Sequence, residues 1–162
     1  MRGFILGLSF LVLSFYTVAQ SDIVQGPFKL DDESSVYIKK DSDINYPLGL
    51  YFESNGNHYK VDSYEVDGDL PNVETVFLVN IYKQNNVIVL ISWKQRHSAE
   101  KINGVSYQVY GYKYSSNHLD INTSIKNDQN LNGLDGVFNG EELHFKYKNA
   151  AEIKKYLESH YK

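Results

Sequence analysis

The chain has 162 residues, no cysteine and a formal net charge of −4 at pH 7. The absence of cysteine excludes disulfide bonds and thiolate metal sites. Lys and Arg are scattered without a basic run, which argues against non-specific binding to the phosphates of nucleic acid. These features favour one domain of ordinary size that is stabilised by its apolar core.

Residues 1–20 have the three-part pattern of a secretory signal peptide. Arg2 gives a positively charged start, residues 4–16 are apolar, and small residues end the segment at Ala19. We therefore expect cleavage after Ala19 and a single β-rich globular domain over residues 21–162. The alternative is a retained membrane anchor, but the apolar run is shorter than the roughly 20 residues that a spanning helix needs.

The signal peptide and the lack of cysteine together predict the location of the protein. Many small secreted eukaryotic domains depend on disulfides, so a cysteine-free exported chain favours a bacterial source. We expect a periplasmic or secreted protein with no stable membrane anchor after cleavage.

Two strand signals open the mature chain. Residues 35–39 alternate weakly and predict an edge strand. Asn55-Gly56 predicts a tight hairpin turn, because both central positions of such a turn need positive φ. The predicted register pairs Phe52 with Tyr59 and Leu50 with Val61.

Residues 75–94 contain the two most apolar runs, which flank a short polar break. A turn at Asn85-Asn86 would pair Leu78 with Trp93. Apolar side chains then lie on both faces of the hairpin, which predicts the middle of a sheet that is covered on both sides.

The next segments alternate between polar and aromatic character. Residues 94–104 are polar and predict a loop that carries His97. Residues 105–114 predict a strand, and Gly111 inside it predicts a bulge or a close approach of another backbone. Residues 115–140 are rich in Asn, Asp and Gly and predict a long loop.

The C-terminal residues predict a strand followed by a helix. Residues 142–148 alternate between apolar and polar side chains. Asn149 and Glu152 have the spacing of a helix cap, and Ile153 and Leu157 lie one turn apart on an apolar face. The predicted fold is α+β: a mainly antiparallel β meander of about six or seven strands with one C-terminal helix. A β-sandwich or a partly closed barrel with a terminal helix is the alternative.

Tyrosine is the most prominent candidate for recognition. Tyr110, Tyr112 and Tyr114 share one side of the predicted strand and could form an exposed aromatic surface. Tyrosine is favoured at binding surfaces because it buries a large area at low entropic cost. We therefore predict partner binding by these three residues and by His97, with ordinary sheet packing as the alternative.

A calcium site is a second candidate. Asp128, Asn130 and Asn132 match the first half of an EF-hand-type loop. The twelfth position is Asn139, whereas an EF-hand has a glutamate there to close the coordination shell. The sequence therefore predicts no cofactor, with calcium as the alternative.

No motif for catalysis is present. The nucleophile-elbow pattern and the usual His spacing of metal-dependent hydrolases are both absent. The sequence therefore predicts a non-catalytic exported binding protein, such as an inhibitor or immunity-type protein that binds another protein in the periplasm. The alternatives are a carbohydrate- or calcium-binding β module that uses the Asn/Asp-rich loop, and a small hydrolase with non-local catalytic residues.

Overall fold

The computed structural model describes residues 22–115 and 118–161. The predicted signal peptide lies outside these residues. The described chain forms ten strands in two antiparallel sheets, with two α-helices and two short 3₁₀ turns. A mainly antiparallel β fold with a C-terminal helix is thus confirmed, with more strands than predicted. No helix in the described residues is long and apolar enough to cross a membrane.

The first sheet is a four-stranded meander in the order β1-β2-β3-β4. Because β2 pairs with strands on both sides, the prediction that residues 35–39 form an edge strand is wrong. The edge next to β2 is instead formed by β1. The sequence did not indicate this strand, because it contains Gly and Pro, which are uncommon in strands. The bounds are β1 (Ile23–Lys29), β2 (Ser34–Lys40), β3 (Leu48–Ser54) and β4 (Asn57–Tyr64).

The hairpin between β3 and β4 turns at Asn55-Gly56, as predicted, with φ of 50° and 74°. Phe52 pairs with Tyr59, as predicted, but Leu50 pairs with Asp62 and not with Val61. A β-bulge next to Leu50 inserts one residue into β4, so the register after the bulge differs by one position.

The second sheet has the order β10-β9-β7-β6-β5. The long strand β7 pairs with β6 along one edge, and β8 and β9 occupy successive parts of its other edge. The bounds are β5 (Asn72–Ile81), β6 (Gln84–His97), β7 (Ile102–Ser115), β8 (His118–Ile121), β9 (Asn132–Phe138) and β10 (Glu141–Leu143).

The turn between β5 and β6 lies at Tyr82-Lys83, so the predicted turn at Asn85-Asn86 is wrong. Leu78 consequently pairs with Val87 and not with Trp93. The observed and predicted registers differ by an even number of residues, so every side chain keeps its predicted face.

The contacts of Asn86 explain why the observed turn differs from the predicted one. Its side chain is buried, its Oδ1 accepts a hydrogen bond of 2.9 Å from Asn122 Nδ2, and its Nδ2 donates to the Gln84 carbonyl. A tertiary hydrogen bond to a residue far along the chain outweighs the turn preference of asparagine.

The core has two parts that meet at β6. Val87, Val89, Ile91 and Trp93 face the first sheet, and Ile88 with its neighbours on the opposite face packs against the helices. The prediction of a strand in the middle of a sheet that is covered on both sides is therefore confirmed for β6. It is wrong for β5, which lies at the edge of the sheet. The molecule has three layers: the first sheet, the second sheet and the helices. The helices are α1 (Thr123–Lys126) and α2 (Ala150–His160).

Two predicted loops are largely structured. Residues 94–104 belong mostly to β6 and β7, and residues 115–140 contain β8, α1 and β9. Gly111 allows α1 to pack closely on β7, because a Cβ atom at this position would lie 2.6 Å from Ile125 Cδ1 of α1. The structure therefore differs from the prediction at Gly111: β6 and β7 pair there without a bulge, and the close contact comes from a helix side chain and not from another backbone.

The C-terminal helix begins where the cap predicted it. Asn149 Oδ1 accepts a hydrogen bond of 3.0 Å from the Glu152 backbone N–H, and Ile153 and Leu157 are buried. The strand predicted at residues 142–148 is shorter, since β10 ends at Leu143.

Candidate functional site

Tyr110, Tyr112 and Tyr114 share one side of β7, as predicted, but this side faces the first sheet. Tyr112 is fully buried, and Tyr110 and Tyr114 are partly buried against the same core. The expectation of an exposed aromatic surface on this strand is therefore wrong. Parity along a strand predicts which residues share a face, but not whether a second sheet covers that face.

Tyr112 belongs to a buried polar network that joins the two sheets. Its hydroxyl donates to Asp62 Oδ2 at 2.8 Å and lies 3.0 Å from the hydroxyl of Tyr64, which is also fully buried. Because a hydroxyl has a single proton, Tyr64 donates to Tyr112. Burial raises the pKa of both tyrosines well above the usual value.

His97 lies apart from the tyrosines. It is exposed at the end of β6, where it pairs with Ile102, whereas Tyr110 pairs with Val89. The eight residue steps from Ile102 to Tyr110 span roughly 26 Å along the strand. The four residues predicted to bind a partner are thus not brought together.

Asp128 caps a 3₁₀ turn and holds the C-terminal helix. Its Oδ1 accepts from the Asn130 backbone at 2.9 Å, and its Oδ2 accepts from the hydroxyls of Tyr156 and Tyr161, each at 2.8 Å. Burial alone would raise the pKa of Asp128, but these hydrogen bonds lower it below the usual value. Both carboxylate oxygens of Asp128 therefore already accept hydrogen bonds within the protein.

Of the other residues of the predicted calcium loop, Asn130 lies beside Asp128 and donates its side-chain Nδ2 to Asp128 Oδ1 at 3.0 Å. Asn132 is exposed at the start of β9. Within residues 22–115 and 118–161, no group of three or more His, Asp and Glu side chains could hold a metal ion.

A cleft of about 790 Å³ opens between β4 and β8, which are edge strands of different sheets. The most buried apolar residues of its lining, Phe52 and Leu119, form its floor, and the other apolar side chains and the polar ones form its walls and rim. The apolar residues are Phe52, Tyr59, Val61, Leu119 and Ile121, and the polar ones are Ser54, Asn55, Asn57, Lys60, His118 and Asp120.

The core of the molecule reaches the surface in this cleft. Phe52 is only 3% exposed, and its ring stacks on Tyr59 with 6.3 Å between the centroids. Tyr59 itself is 53% exposed, and Ile121 on the opposite wall is 38% exposed. Contiguous exposed apolar surface with a polar rim marks a binding site more often than a free surface.

The backbone of β4 is open along the cleft. In a two-residue hairpin, the residues next to the turn exchange hydrogen bonds, and this pattern repeats at every second pair. Asn57 and Tyr59 therefore point their backbone groups towards β3, while His58 and Lys60 point theirs outward. Among the described strands, none pairs with this outer edge.

The side chain of Lys60 is held in place beside the cleft. Its Nζ lies 2.8 Å from Asp41 Oδ2, and the Tyr51 hydroxyl donates to Asp41 Oδ1 at 2.6 Å. Burial and the hydrogen bond to Asp41 raise the pKa of Tyr51 to about 12. Since Asp41 compensates the charge of Lys60, the wall that Lys60 gives to the cleft is mainly its aliphatic stem.

The cleft could not be predicted from the sequence, because the composition of residues 115–140 indicates a loop. The alternation of His118, Leu119, Asp120 and Ile121 was the available signal for β8. Four residues are a weak signal, and nothing local indicates that this strand lies near β4.

Comparison of the chain with models of known protein families, with curated proteins and with solved structures finds no match.

Proposed function

We propose that the protein is an exported, non-catalytic binding protein that takes an extended segment of another protein into the cleft between β4 and β8. The observation that carries this proposal is that apolar residues of the cleft lie next to the unpaired edge of β4. An extended segment can satisfy both features at once, because its backbone pairs with a strand while alternate side chains enter apolar space.

The dimensions of the site support a segment of a few residues. The described part of β8 has four residues, and the outward-facing groups of β4 belong to His58 and Lys60. Phe52 and Leu119 at the floor offer apolar contact for one large side chain, and the rim residues Asn57 and Asp120 offer hydrogen bonds. Affinity would come from the floor and orientation from the rim.

The test uses the mature chain from residue 20 and a displayed library of random linear peptides. We expect selected peptides to have apolar residues at alternate positions. Tyr59→Ser and Ile121→Ser should weaken their binding about tenfold or more, since each removes apolar contact area. Neither side chain is buried, so the variants should fold. Leu78→Ser, at an exposed apolar site on β5, is the matched control.

Hydrogen exchange of the complex locates the peptide. Slower exchange of the His58 and Lys60 amides on binding supports pairing along β4. The proposal is wrong if the peptides bind Tyr59→Ser and Leu78→Ser equally well, or if soluble oligosaccharides bind the cleft while no peptide does.

A further inference from the structure

A second exposed surface lies where the β2–β3 and β4–β5 connections meet. Ile44 in the first connection is 83% exposed, and Tyr46 beside it is also exposed. Val66 in the second connection is exposed and donates its backbone N–H to the Asn45 carbonyl at 2.9 Å. The backbones of the two connections therefore lie side by side at this point.

The first connection is held in a defined shape. Asp43 Oδ1 accepts from the backbone N–H groups of Asn45 and Tyr46, at 2.9 Å and 3.3 Å. This turn presents Ile44 at its tip. The exposure of Ile44 thus belongs to an ordered turn.

The second connection is fixed to the core. Trp93, which is buried, donates its Nε1–H to the Glu65 carbonyl at 2.8 Å, and Gln95 Nε2 donates to the Asp67 carbonyl at 2.9 Å. Side chains on a surface ordered before binding lose less freedom when a partner arrives.

The two connections carry acidic side chains and no basic ones. Residues 41–47 and 65–71 contain Asp41, Asp43, Glu65, Asp67 and Asp69 and neither Lys nor Arg, while Lys39 and Lys40 end β2 just before the first connection. Lys60 of β4 is paired with Asp41. We use the name acidic end for the exposed residues Asp43, Ile44, Tyr46, Glu65, Val66 and Asp67.

We propose that the acidic end docks on a partner protein whose apolar pocket receives Ile44 and is surrounded by Lys and Arg. An apolar side chain at the centre of an interface excludes water, and complementary charges around it steer and orient the partner. This surface is separate from the cleft, so the proposal goes beyond the function proposed above.

The test selects a displayed library of random 15-residue peptides on the mature protein, and measures dissociation constants in 50 mM and 300 mM NaCl. We expect one class of peptides with an apolar residue among several Lys and Arg. Ile44→Ser should weaken this class about tenfold or more. Glu65→Lys should weaken it further, and higher salt should do the same. Tyr59→Ser in the cleft and Leu78→Ser on β5 should leave its binding unchanged.

Three results would overturn the proposal. The first is the absence of basic sequences among the peptides that bind. The second is unchanged binding by Ile44→Ser, whose native side chain is too exposed to be needed for folding. The third is a different occupant: sedimentation that shows a dimer only when Ile44 is present, or binding of Ile44-containing protein to phosphatidylcholine vesicles.

Discussion

At the scale of single residues, the most constrained feature is the chain of hydroxyls from Tyr64 through Tyr112 to Asp62. It is a polar network inside an otherwise apolar core, and it connects β4 of one sheet to β7 of the other. Apolar packing tolerates small shifts between sheets, whereas hydrogen-bonded pairs have defined geometry. The network therefore fixes the alignment of the two sheets.

Replacement of Tyr112 by Phe tests this role. The variant keeps the ring, but Tyr64 loses its buried acceptor and Asp62 loses a donor. We expect the free energy of unfolding to fall by about 1–3 kcal/mol, measured by urea denaturation at pH 7. Tyr59→Phe is the control and should change stability by less than about 0.5 kcal/mol. Equal effects of the two variants would contradict the role of the network.

Residue-level prediction from the sequence succeeded where the rule was local. The shared face of Tyr110, Tyr112 and Tyr114 followed from the two-residue period of a strand. At Gly111 the sequence predicted a bulge or another backbone, because nothing local indicates that the side chain of Ile125 packs there. Burial of Tyr112 could not be predicted, because it depends on which sheet lies opposite.

At the scale of elements, helix α2 depends on one carboxylate outside it. Tyr156 and Tyr161 near its end donate to Asp128, which precedes β9. The apolar face of α2 contributes area, and Asp128 adds a specific attachment point for its last turn.

Asp128→Asn should loosen this attachment. Since hydrogen bonds lower the pKa of Asp128, its stabilising effect is present above about pH 4, the unfolded value, and is lost as pH falls through the folded value. We expect the variant to be less stable by about 1–2 kcal/mol at pH 7. The difference should narrow between pH 5 and pH 2 in urea denaturation followed by circular dichroism.

Two comparisons complete that experiment. Asp120→Asn, at an exposed carboxylate on β8, should behave like the native protein. Calcium should leave the melting temperature unchanged, because both Asp128 oxygens already accept hydrogen bonds. A calcium-dependent rise that Asp128→Asn abolishes would instead support the calcium module.

The two hairpin turns form a natural comparison. Asn55-Gly56 uses residues that tolerate positive φ, whereas Tyr82-Lys83 adopts φ of 52° and 61° without glycine. The residue types of the first turn therefore predicted it, whereas Tyr and Lys gave no signal for the second. The register of β5 and β6 is set by pairing and by the buried side chain of Asn86.

Lys83→Gly should stabilise the protein. Left-handed backbone costs a residue with a side chain roughly 1 kcal/mol, and the greater freedom of unfolded glycine offsets part of the gain. We expect an increase of about 0.5 kcal/mol in the free energy of unfolding. Gly56→Lys is the reciprocal variant and should lose about 1 kcal/mol or more in the same denaturation assay. A loss of stability in Lys83→Gly would show that the lysine side chain makes a compensating contact.

At the scale of the whole molecule, the cleft is a product of topology. The meander of the first sheet ends at β4, the second sheet places β8 at its own edge, and the two edges leave the core open between them. The sequence analysis identified sandwich geometry as an alternative. It could not locate an opening formed by strands about 60 residues apart, because no local pattern encodes which edges become neighbours.

Tyrosines with a raised pKa predict how the whole fold responds to alkali. Burial raises the pKa of Tyr64, Tyr110 and Tyr112, and that of Tyr51 reaches about 12. Groups with a raised pKa stabilise the fold below about pH 10, the unfolded value, and this contribution is lost as pH rises through the folded values. We expect the free energy of unfolding to decline above about pH 10.

Absorbance at 295 nm and far-ultraviolet circular dichroism measure the two events separately. The last tyrosines should ionise only when the β-sheet signal disappears. Complete ionisation of all tyrosines with the sheet signal intact would contradict the burial of this group.

The buried pair of Asn86 and Asn122 has a consequence for producing the protein. Asn122 begins the sequence Asn-Thr-Ser, which is an acceptor for N-linked sugar in a eukaryotic secretory pathway. Its Nδ2, the atom that would carry the sugar, donates to Asn86 in a site where Asn122 is only 3% exposed. A glycan attached before folding would keep Asn122 out of the core, so a eukaryotic expression host should yield misfolded protein. Ser124→Ala removes the acceptor sequence, because Ser124 holds its third position, and leaves the asparagine pair intact.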